Sequence, residues 1–171
     1  MNAVSGPDSS HQQALADMVT AYQGTILRMC KVYLRDAQLA EDAAQETFLK
    51  AWRALPQFRE AGGTKTWLMR IAINTCKDMS KSSWQRHVDR RVPLDTAPDR
   101  PAESSPDTGL AEAIAALPRR LKEAVLLYYY QDMSVEEAAD ALNTAPSTVS
   151  RRLKQARALL RAALERGEQD D

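Results

Sequence analysis

The sequence is poor in the residues from which many stabilising and metal-binding sites are built. Its 171 residues include two cysteines, Cys30 and Cys76, and two histidines, His11 and His87. Two cysteines are too few for the disulfide framework of a small secreted domain, and the chain offers no four-ligand zinc set. We therefore expect both thiols to be small, buried apolar groups, and we predict no metal and no other cofactor.

Long apolar runs are also missing. The hydrophobic fraction is 44%, yet no run approaches the roughly 20 apolar residues that span a bilayer. The first 13 residues, MNAVSGPDSSHQQ, lack the basic and apolar parts of a secretory signal, and we expect them to form a disordered tail. These absences predict a cytoplasmic protein that does not insert into a membrane.

A net charge of zero, from 23 Lys and Arg against 23 Asp and Glu, argues at first against a nucleic-acid partner. The distribution along the chain argues the other way. Residues 65–91 carry seven basic and two acidic residues, and residues 144–166 carry six basic and one acidic residue, so each segment has a net charge of +5. Two local surfaces of this kind can bind phosphate in a chain that is neutral overall.

The segment between these two stretches divides the chain into two domains. Residues 92–109, VPLDTAPDRPAESSPDTG, are acidic, contain four of the eight prolines and show no apolar period, which is typical of a flexible linker. We predict a first domain over residues 14–91, a second over residues 110–166 and an acidic tail over residues 167–171. Apolar residues on both sides recur every three or four positions, which predicts two small all-α domains.

In the first domain the pattern predicts three helices. Pro56 ends the second, and a loop with Gly62 and Gly63 precedes a third that starts near Thr66. On the second helix Leu49 lies among acids and a Gln, opposite the apolar face, so that surface is either an ordinary solvated face or a docking surface for a basic or polar partner. On the third helix, cations alternate with Trp67, an arrangement that suits an opened nucleic-acid strand, although Trp67 fits a core position equally well.

The second domain has the signature of a helix-turn-helix. Ser134 and Glu137 have the spacing of a capping box at the start of one helix, and Asn143 is suited to the left-handed turn that ends it. Ala139 and Val149 fall at the small and buried positions of the motif, whose second helix enters the major groove of DNA. The alternative is a solvated basic face on a structural helix. The side chains left outward on the last helix are Ser147, Thr148, Ser150, Arg151, Arg152, Lys154, Gln155 and Arg157.

Three segments together resemble a known family. AEDAAQETFLKAW, TKTWLMRIAINTCKD and, after the linker, LPRRLKEAVLLYYYQDMSVEEAADALNTAPSTVSRRLKQARALLR are similar to bacterial RNA polymerase sigma factors of the extracytoplasmic function type, over about residues 14–164. The resemblance implies that the first domain is region 2, which docks on the polymerase clamp and opens the −10 element. It implies that the second is region 4, which reads the −35 element and contacts the β flap.

The resemblance also assigns residues to these tasks. It assigns polymerase binding to Asp42, Gln45, Glu46 and Leu49. It assigns binding of the melted −10 strand to Gly62, Gly63, Thr64, Lys65, Trp67, Arg70, Asn74 and Lys77. At the −35 element it assigns base readout to Ser150, Arg151, Lys154 and Gln155. It assigns phosphate binding there to Thr148, Arg152 and Arg157.

The chain departs from the family at Met69, where members often carry an aromatic residue, so we expect less base stacking there. An anti-sigma factor is a further partner that the family implies. The expected function is promoter-specific transcription initiation without enzymatic activity. The alternative is a stand-alone helix-turn-helix regulator that binds DNA without polymerase, and an enzyme is the least favoured of the three.

Overall fold

The computed structural model describes residues 7–59, 62–89 and 106–169, which form seven α-helices and no strand. Their bounds are α1 Pro7–Leu34, α2 Ala37–Ala54, α3 Thr64–Asp89, α4 Pro106–Ala115, α5 Arg119–Val125, α6 Val135–Ala141 and α7 Pro146–Gln169. A 3₁₀ turn follows α2, and a π turn, Leu126–Tyr130, continues α5. The predicted all-α fold is confirmed.

The first three helices pack into a bundle because each has small or apolar residues at helical spacing. Ala40, Ala43 and Ala51 are buried on α2 and allow its backbone to lie close to α1 and α3. The two thiols meet in this core: Cys76 Sγ lies 3.3 Å from Cys30 Sγ, and both side chains are fully buried. The neighbouring thiol and burial raise the pKa of Cys76, so the pair has the apolar role that the sequence predicts.

The last four helices enclose a second apolar centre in which α5 and α6 pack on α7. The capping box is present, because Ser134 Oγ accepts a hydrogen bond from the Glu137 N–H at 3.1 Å and Glu137 Oε2 accepts one from the Ser134 N–H at 2.8 Å. Asn143 has φ +51° and turns the chain into α7, while Ala139 and Val149 are buried. The predicted helix-turn-helix is therefore formed.

Helices extend beyond several predicted limits. Residues 7–13 of the expected tail, 106–109 of the expected linker and 167–169 of the expected acidic tail are all helical. Pro7 and Pro106 are the first residues of α1 and α4, where the fixed φ of proline suits a helix and its missing N–H costs nothing. The third helix begins at Thr64 rather than near Thr66, because the Trp67 N–H already bonds to the Gly63 carbonyl. Residues 90–105, most of the predicted linker, lie outside the described residues, as do residues 1–6, 170 and 171.

The two bundles touch each other. Helix α3 lies against α6, and α1 lies against α4 and the π turn. Buried apolar side chains form one continuous cluster through both bundles. The relative position of the two domains, on which the sequence is silent, is therefore a specific packed arrangement in this structure.

Candidate nucleic-acid and protein interfaces

Helix α7 presents the side chains predicted to read the −35 element on its free face. Val149, Leu153 and Ala156 are buried at spacings of four and three residues, which turns the opposite side of the helix toward solvent. Of the seven predicted residues, two are half-buried and five are exposed. The half-buried pair is Thr148 and Arg152, and the exposed set is Ser150, Arg151, Lys154, Gln155 and Arg157.

The residues predicted to bind the −10 strand share one surface, formed by the loop before α3 and one side of that helix. Gly62 and Gly63 have φ values of +141° and +85°, which side chains with a Cβ rarely adopt. On α3, Trp67, Arg70 and Asn74 follow each other at three and four residues and so project to the same side. The other members of this −10 surface are Thr64, Lys65 and Lys77, all half-buried.

Trp67, which belongs to this surface, and its neighbour Met69 have structural roles. Trp67 is half-buried and packs against Phe58, with ring centroids 4.5 Å apart and the rings tilted by 38°. Met69 is fully buried. The expected loss of base stacking at Met69 is therefore wrong, because an aromatic side chain at that position would enter the core instead of facing a DNA strand.

A groove of about 1160 Å³ runs between α1 and α2. Its lining is mainly apolar and includes Leu49, which is 49% exposed. Of the four residues predicted to bind polymerase, Gln45 and Leu49 line the groove, whereas Asp42 and Glu46 lie beside it on α2. The rest of the lining is Gln12, Leu15, Ala16, Val19, Thr20, Gln23, Gly24, Leu27, Glu41, Ala44, Phe48 and Trp52.

Sequence reasoning misses the contribution of α1 to this groove. Helical spacing assigns Leu15, Val19, Phe48 and Trp52 to the core of the bundle, yet all four are half-buried at the groove wall. The apolar stripe on α1 is wider than one neighbouring helix can bury, and that width is the signal that could have revealed the groove.

The contact between α3 and α6 includes a partly exposed ion pair. Arg70 Nη2 lies 3.1 Å from Asp140 Oδ1 and donates a second hydrogen bond to the Asp140 carbonyl oxygen at 2.7 Å. A Cβ placed on Gly62 would lie 3.5 Å from Asp140 Oδ2. The carboxylate of Asp140 therefore lies over the loop and the arginine of the −10 surface.

The contact between α1 and α5 is built around a buried carboxylate. Tyr33 Oη donates a 2.8 Å hydrogen bond to Glu123 Oε1, and the two residues are only 5% and 7% exposed. Lys122 Nζ lies 5.3 Å from the centroid of the Tyr33 ring, within the range of a cation–π contact. Burial, followed by the Glu123 charge, raises the pKa of Tyr33, while burial lowers the pKa of Lys122.

The residue after the π turn joins the domains as well. Gln131 is almost fully buried, and its Nε2 donates to the carbonyl oxygen of Thr25 at 3.0 Å and approaches Met29 Sδ at 3.6 Å. Its own N–H donates to the Leu126 carbonyl across the π turn at 3.2 Å. Just beyond the C-terminal end of α1, Arg35 Nη2 donates to the Glu112 carbonyl at 3.3 Å. The bonds to Thr25 and Glu112 span 106 and 77 positions of sequence, so local sequence carries no signal for them.

Within the ranges 7–59, 62–89 and 106–169, no three His, Cys, Asp or Glu side chains are grouped so that they could hold a metal ion. Over the same ranges, no helix combines the length and the apolarity that crossing a membrane requires.

Two family descriptions match the chain. Residues 18–86 match "Sigma-70 region 2", and residues 108–160 match "Sigma-70, region 4". The first match covers α1 from residue 18, all of α2, most of α3 and the −10 surface. The second covers α4 to α6 and most of α7, including every residue predicted to contact the −35 element.

Curated relatives are similar over most of this chain. The RNA polymerase sigma-H factor of Pseudomonas aeruginosa is 32% identical over 163 residues, which cover 86% of this chain and 84% of that protein. The ECF RNA polymerase sigma factor SigW of Bacillus subtilis is 29% identical over 90% of both chains. The probable RNA polymerase sigma factor RfaY of Xanthomonas campestris is 32% identical over 90% of this chain, which spans only 41% of that longer protein.

Two solved structures have the same fold. RpoE of Bartonella quintana, solved with the anti-sigma factor NepR, has a TM-score of 0.77 at 22% identity and covers 90% of this chain and 98% of its own. CnrH, solved with the cytosolic domain of CnrY, has a TM-score of 0.69 at 24% identity and covers 90% and 89%.

Replacing Tyr33 with Phe tests the buried hydrogen bond between the two bundles. Loss of the hydroxyl leaves the Glu123 carboxylate without its closest donor, so we expect the free energy of unfolding at pH 7 to fall by about 1–3 kcal/mol. Chemical denaturation measures this, with Tyr22→Phe on the same helix as the matched control. An unchanged midpoint for Tyr33→Phe would show that water already satisfies Glu123.

The same variant changes the dependence of stability on pH. Folding raises the pKa of Tyr33 above its value in the unfolded chain. The contribution of this group to the free energy of unfolding is therefore fully present below about pH 10 and is lost as the pH rises further. We expect the wild-type chain to lose stability more steeply than Tyr33→Phe between about pH 9.5 and 11. Parallel slopes would contradict this.

Proposed function

The chain belongs to the sigma-70 family, in the extracytoplasmic function group, and on that premise we propose which of its residues bind polymerase and promoter DNA. Members of this family are DNA-binding transcription initiation factors that direct RNA polymerase to promoters, and this is the function of the chain. The observation that supports our assignment best is the order of surfaces along one chain. A partly apolar groove and a −10 surface in region 2 are followed by an exposed basic recognition helix in region 4.

We propose that the clamp of core polymerase docks along the α1–α2 groove. Leu49 supplies an exposed apolar contact at the wall, while Asp42, Gln45 and Glu46 supply carboxylates and an amide for a partner with basic and polar side chains. An apolar groove with a polar rim is the usual composition of a protein interface.

Replacing Leu49 with Asp tests this docking site. The substitution places a charge in the groove wall without disturbing the core, so we expect affinity for core polymerase to fall at least about tenfold, the cost of a charge buried against an apolar partner. Competition for core enzyme against a labelled sigma factor measures the loss. Ser80→Asp, an exposed position on α3, is the control, and equal behaviour of the two variants would refute the docking site.

We propose that the two basic surfaces bind the two promoter elements. On α3 and its preceding loop, Lys65, Arg70 and Lys77 supply cations for phosphates, Asn74 supplies an amide for a base edge, and the glycine pair allows backbone to approach an unpaired base. On α7, Arg151, Lys154, Gln155 and Ser150 read bases of the −35 element in the major groove, while Thr148, Arg152 and Arg157 hold phosphates. We propose residues 14–91 as the first domain, residues 110–166 as the second, and residues 92–109 as the linker between them.

Replacing Arg151 with Ala tests base readout. If Arg151 contacts a base pair, the variant should lose about 1–3 kcal/mol of binding at the −35 element and tolerate other bases at one position. Promoter variants randomised at each −35 position, transcribed by the reconstituted holoenzyme, measure this. Arg161→Ala removes the same charge further along α7 and should affect all sequences alike; the same uniform loss for Arg151→Ala would limit Arg151 to phosphate.

We further propose a cognate anti-sigma factor, no enzymatic activity of the chain itself, and the cytoplasm as its site of action. RpoE was solved with an anti-sigma factor, and CnrH with the cytosolic domain of CnrY, which supports the first point. The binding surfaces described above account for the function without a reacting group, and partnership with polymerase and promoter DNA supports the cytoplasm.

Reconstitution tests the function directly. Core polymerase incubated with the chain should retain it through purification and should produce run-off transcripts from a subset of promoters in a genomic library. Core enzyme alone and core with Leu49→Asp are the controls. Tight binding to DNA without polymerase, together with no transcript from any promoter, would favour a stand-alone regulator instead.

A further inference from the structure

The aromatic pair Phe58–Trp67 adjoins the glycines of the −10 surface. Phe58 directly follows the 3₁₀ turn Leu55–Gln57, and Trp67 lies in the first turn of α3. The two ring centroids are 4.5 Å apart, and both side chains are half-buried. The pair therefore connects the chain that leaves α2 with the helix that carries the −10 surface.

The backbone beside this pair is a segment that needs to be held in place. Gly62 and Gly63 are exposed and have φ values of +141° and +85°. Glycine has more conformational freedom than any other residue, so two successive glycines keep one conformation only where their neighbours fix it. One such neighbour is Trp67, whose N–H donates a 3.2 Å hydrogen bond to the Gly63 carbonyl.

Both rings are attached to backbone that is anchored in the core of the first bundle. The Phe58 N–H donates to the Leu55 carbonyl at 3.0 Å, and Leu55 is buried. On the other side, Leu68 follows Trp67 and is fully buried. A ring contact between two anchored positions restricts the conformations open to the glycines that lie between them in the sequence.

We propose that Phe58 is a positioning residue for capture of the −10 strand: its ring holds Trp67, and through Trp67 it holds Gly62 and Gly63 in the conformation that receives an unpaired base. This inference rests on the proposed role of the −10 surface in binding an opened strand. A site that is already ordered loses less conformational entropy when its ligand arrives, so the strand binds more tightly. Phe58 thus contributes to strand binding without touching DNA.

The same contact gives Trp67 a different role from base stacking. A tryptophan that stacks on a base needs a free ring face. The Phe58 ring lies against Trp67 at a tilt of 38°, and the Trp67 side chain also packs against the buried core. In this proposal Trp67 acts on the strand through the backbone of Gly63, to which it is hydrogen-bonded.

Backbone ¹⁵N relaxation of the free, full-length chain tests the ordering role. In the wild-type chain we expect order parameters of about 0.85, the value of rigid backbone, at Gly62 and Gly63. Phe58→Leu keeps an apolar side chain but removes the ring, so both values should fall below about 0.6. Phe58→Tyr keeps the ring and should restore them. Flexible glycines in the wild-type chain, or unchanged values in Phe58→Leu, would overturn the proposal.

Two controls separate local ordering from a general loosening of the fold. Tyr129→Leu is the matched variant, because it breaks another aromatic pair, Tyr128 with Tyr129 at 4.8 Å, in the second domain. It should leave Gly62 and Gly63 ordered. Gly24, within α1, reports on the bundle itself, and its order parameter should be the same in every variant. A fall at Gly24 as large as that at Gly63 would reduce Phe58 to a stabilising residue and overturn the proposal.

Strand binding by the reconstituted holoenzyme tests the consequence for function. The probe is a fluorescent single-stranded oligonucleotide with the non-template −10 sequence of a promoter that the wild-type holoenzyme transcribes. Phe58→Leu should bind it about two- to tenfold more weakly, the factor that corresponds to loss of an aromatic pair, and Phe58→Tyr should bind like wild type. Affinity for core polymerase should not change, because Phe58 does not line the α1–α2 groove. Undiminished strand binding by Phe58→Leu, or an equal loss of affinity for core, would overturn the proposal.

A double-mutant cycle tests whether Phe58 acts through Trp67. Trp67→Leu should weaken strand binding, and adding Phe58→Leu to it should cause little further loss, because the two rings act as one unit. Fully additive losses would mean that Trp67 contacts the strand independently of Phe58, which would overturn the proposal.

Failure of this proposal is distinguishable from failure of the proposed function. A chain that directs transcription from no promoter would overturn the proposed function and, with it, the role of Phe58 in strand capture. The relaxation measurements on wild type, Phe58→Leu and Phe58→Tyr involve neither polymerase nor DNA. They would then decide by themselves whether Phe58 orders Gly62 and Gly63.

Discussion

The whole structure depends on how the surface of α1 is divided among its neighbours. One side of this 28-residue helix packs on α2 and α3, with Ile26, Met29 and Cys30 fully buried. Another side meets α4 and the π turn of the second domain. A third forms the wall of the groove opposite Leu49. A single helix can satisfy three sets of contacts only if its apolar stripe is broad, and this breadth explains why both domains and the proposed clamp site share it.

The contacts between the domains add polar pairs to apolar packing that runs through both bundles. Inside each bundle, apolar side chains bury surface that cannot be returned to water cheaply. Between the bundles the buried apolar cluster continues, and beside it lie hydrogen bonds and one ion pair, each with modest net free energy because water competes for the same groups.

The distribution of charge in this chain is more informative than its net charge. The balance of 23 basic and 23 acidic residues includes two basic surfaces, one on α3 and one on α7. Within the described residues, the first of them has an acidic side chain from the other domain placed upon it, because Asp140 pairs with Arg70. The acids of the chain thus do more than offset its net charge, because at least one of them pairs with a cation of a basic surface.

Local physics makes much of this protein readable from its sequence. Helical spacing of apolar residues, the Ser134–Glu137 capping box and the turn at Asn143 act over a few residues, so the order of amino acids alone determines the all-α fold and the helix-turn-helix and reveals the family. Proline misleads the linker prediction at Pro106, because the same fixed φ that marks a linker also starts a helix. The buried position of Met69 and the groove wall on α1 depend on which neighbours cover each side chain. Tertiary structure alone decides that Asp140 lies on Arg70 and that Tyr33 meets Glu123. Such pairs are separated by 70 and 90 positions, and no local energy term relates residues so far apart until the chain has folded.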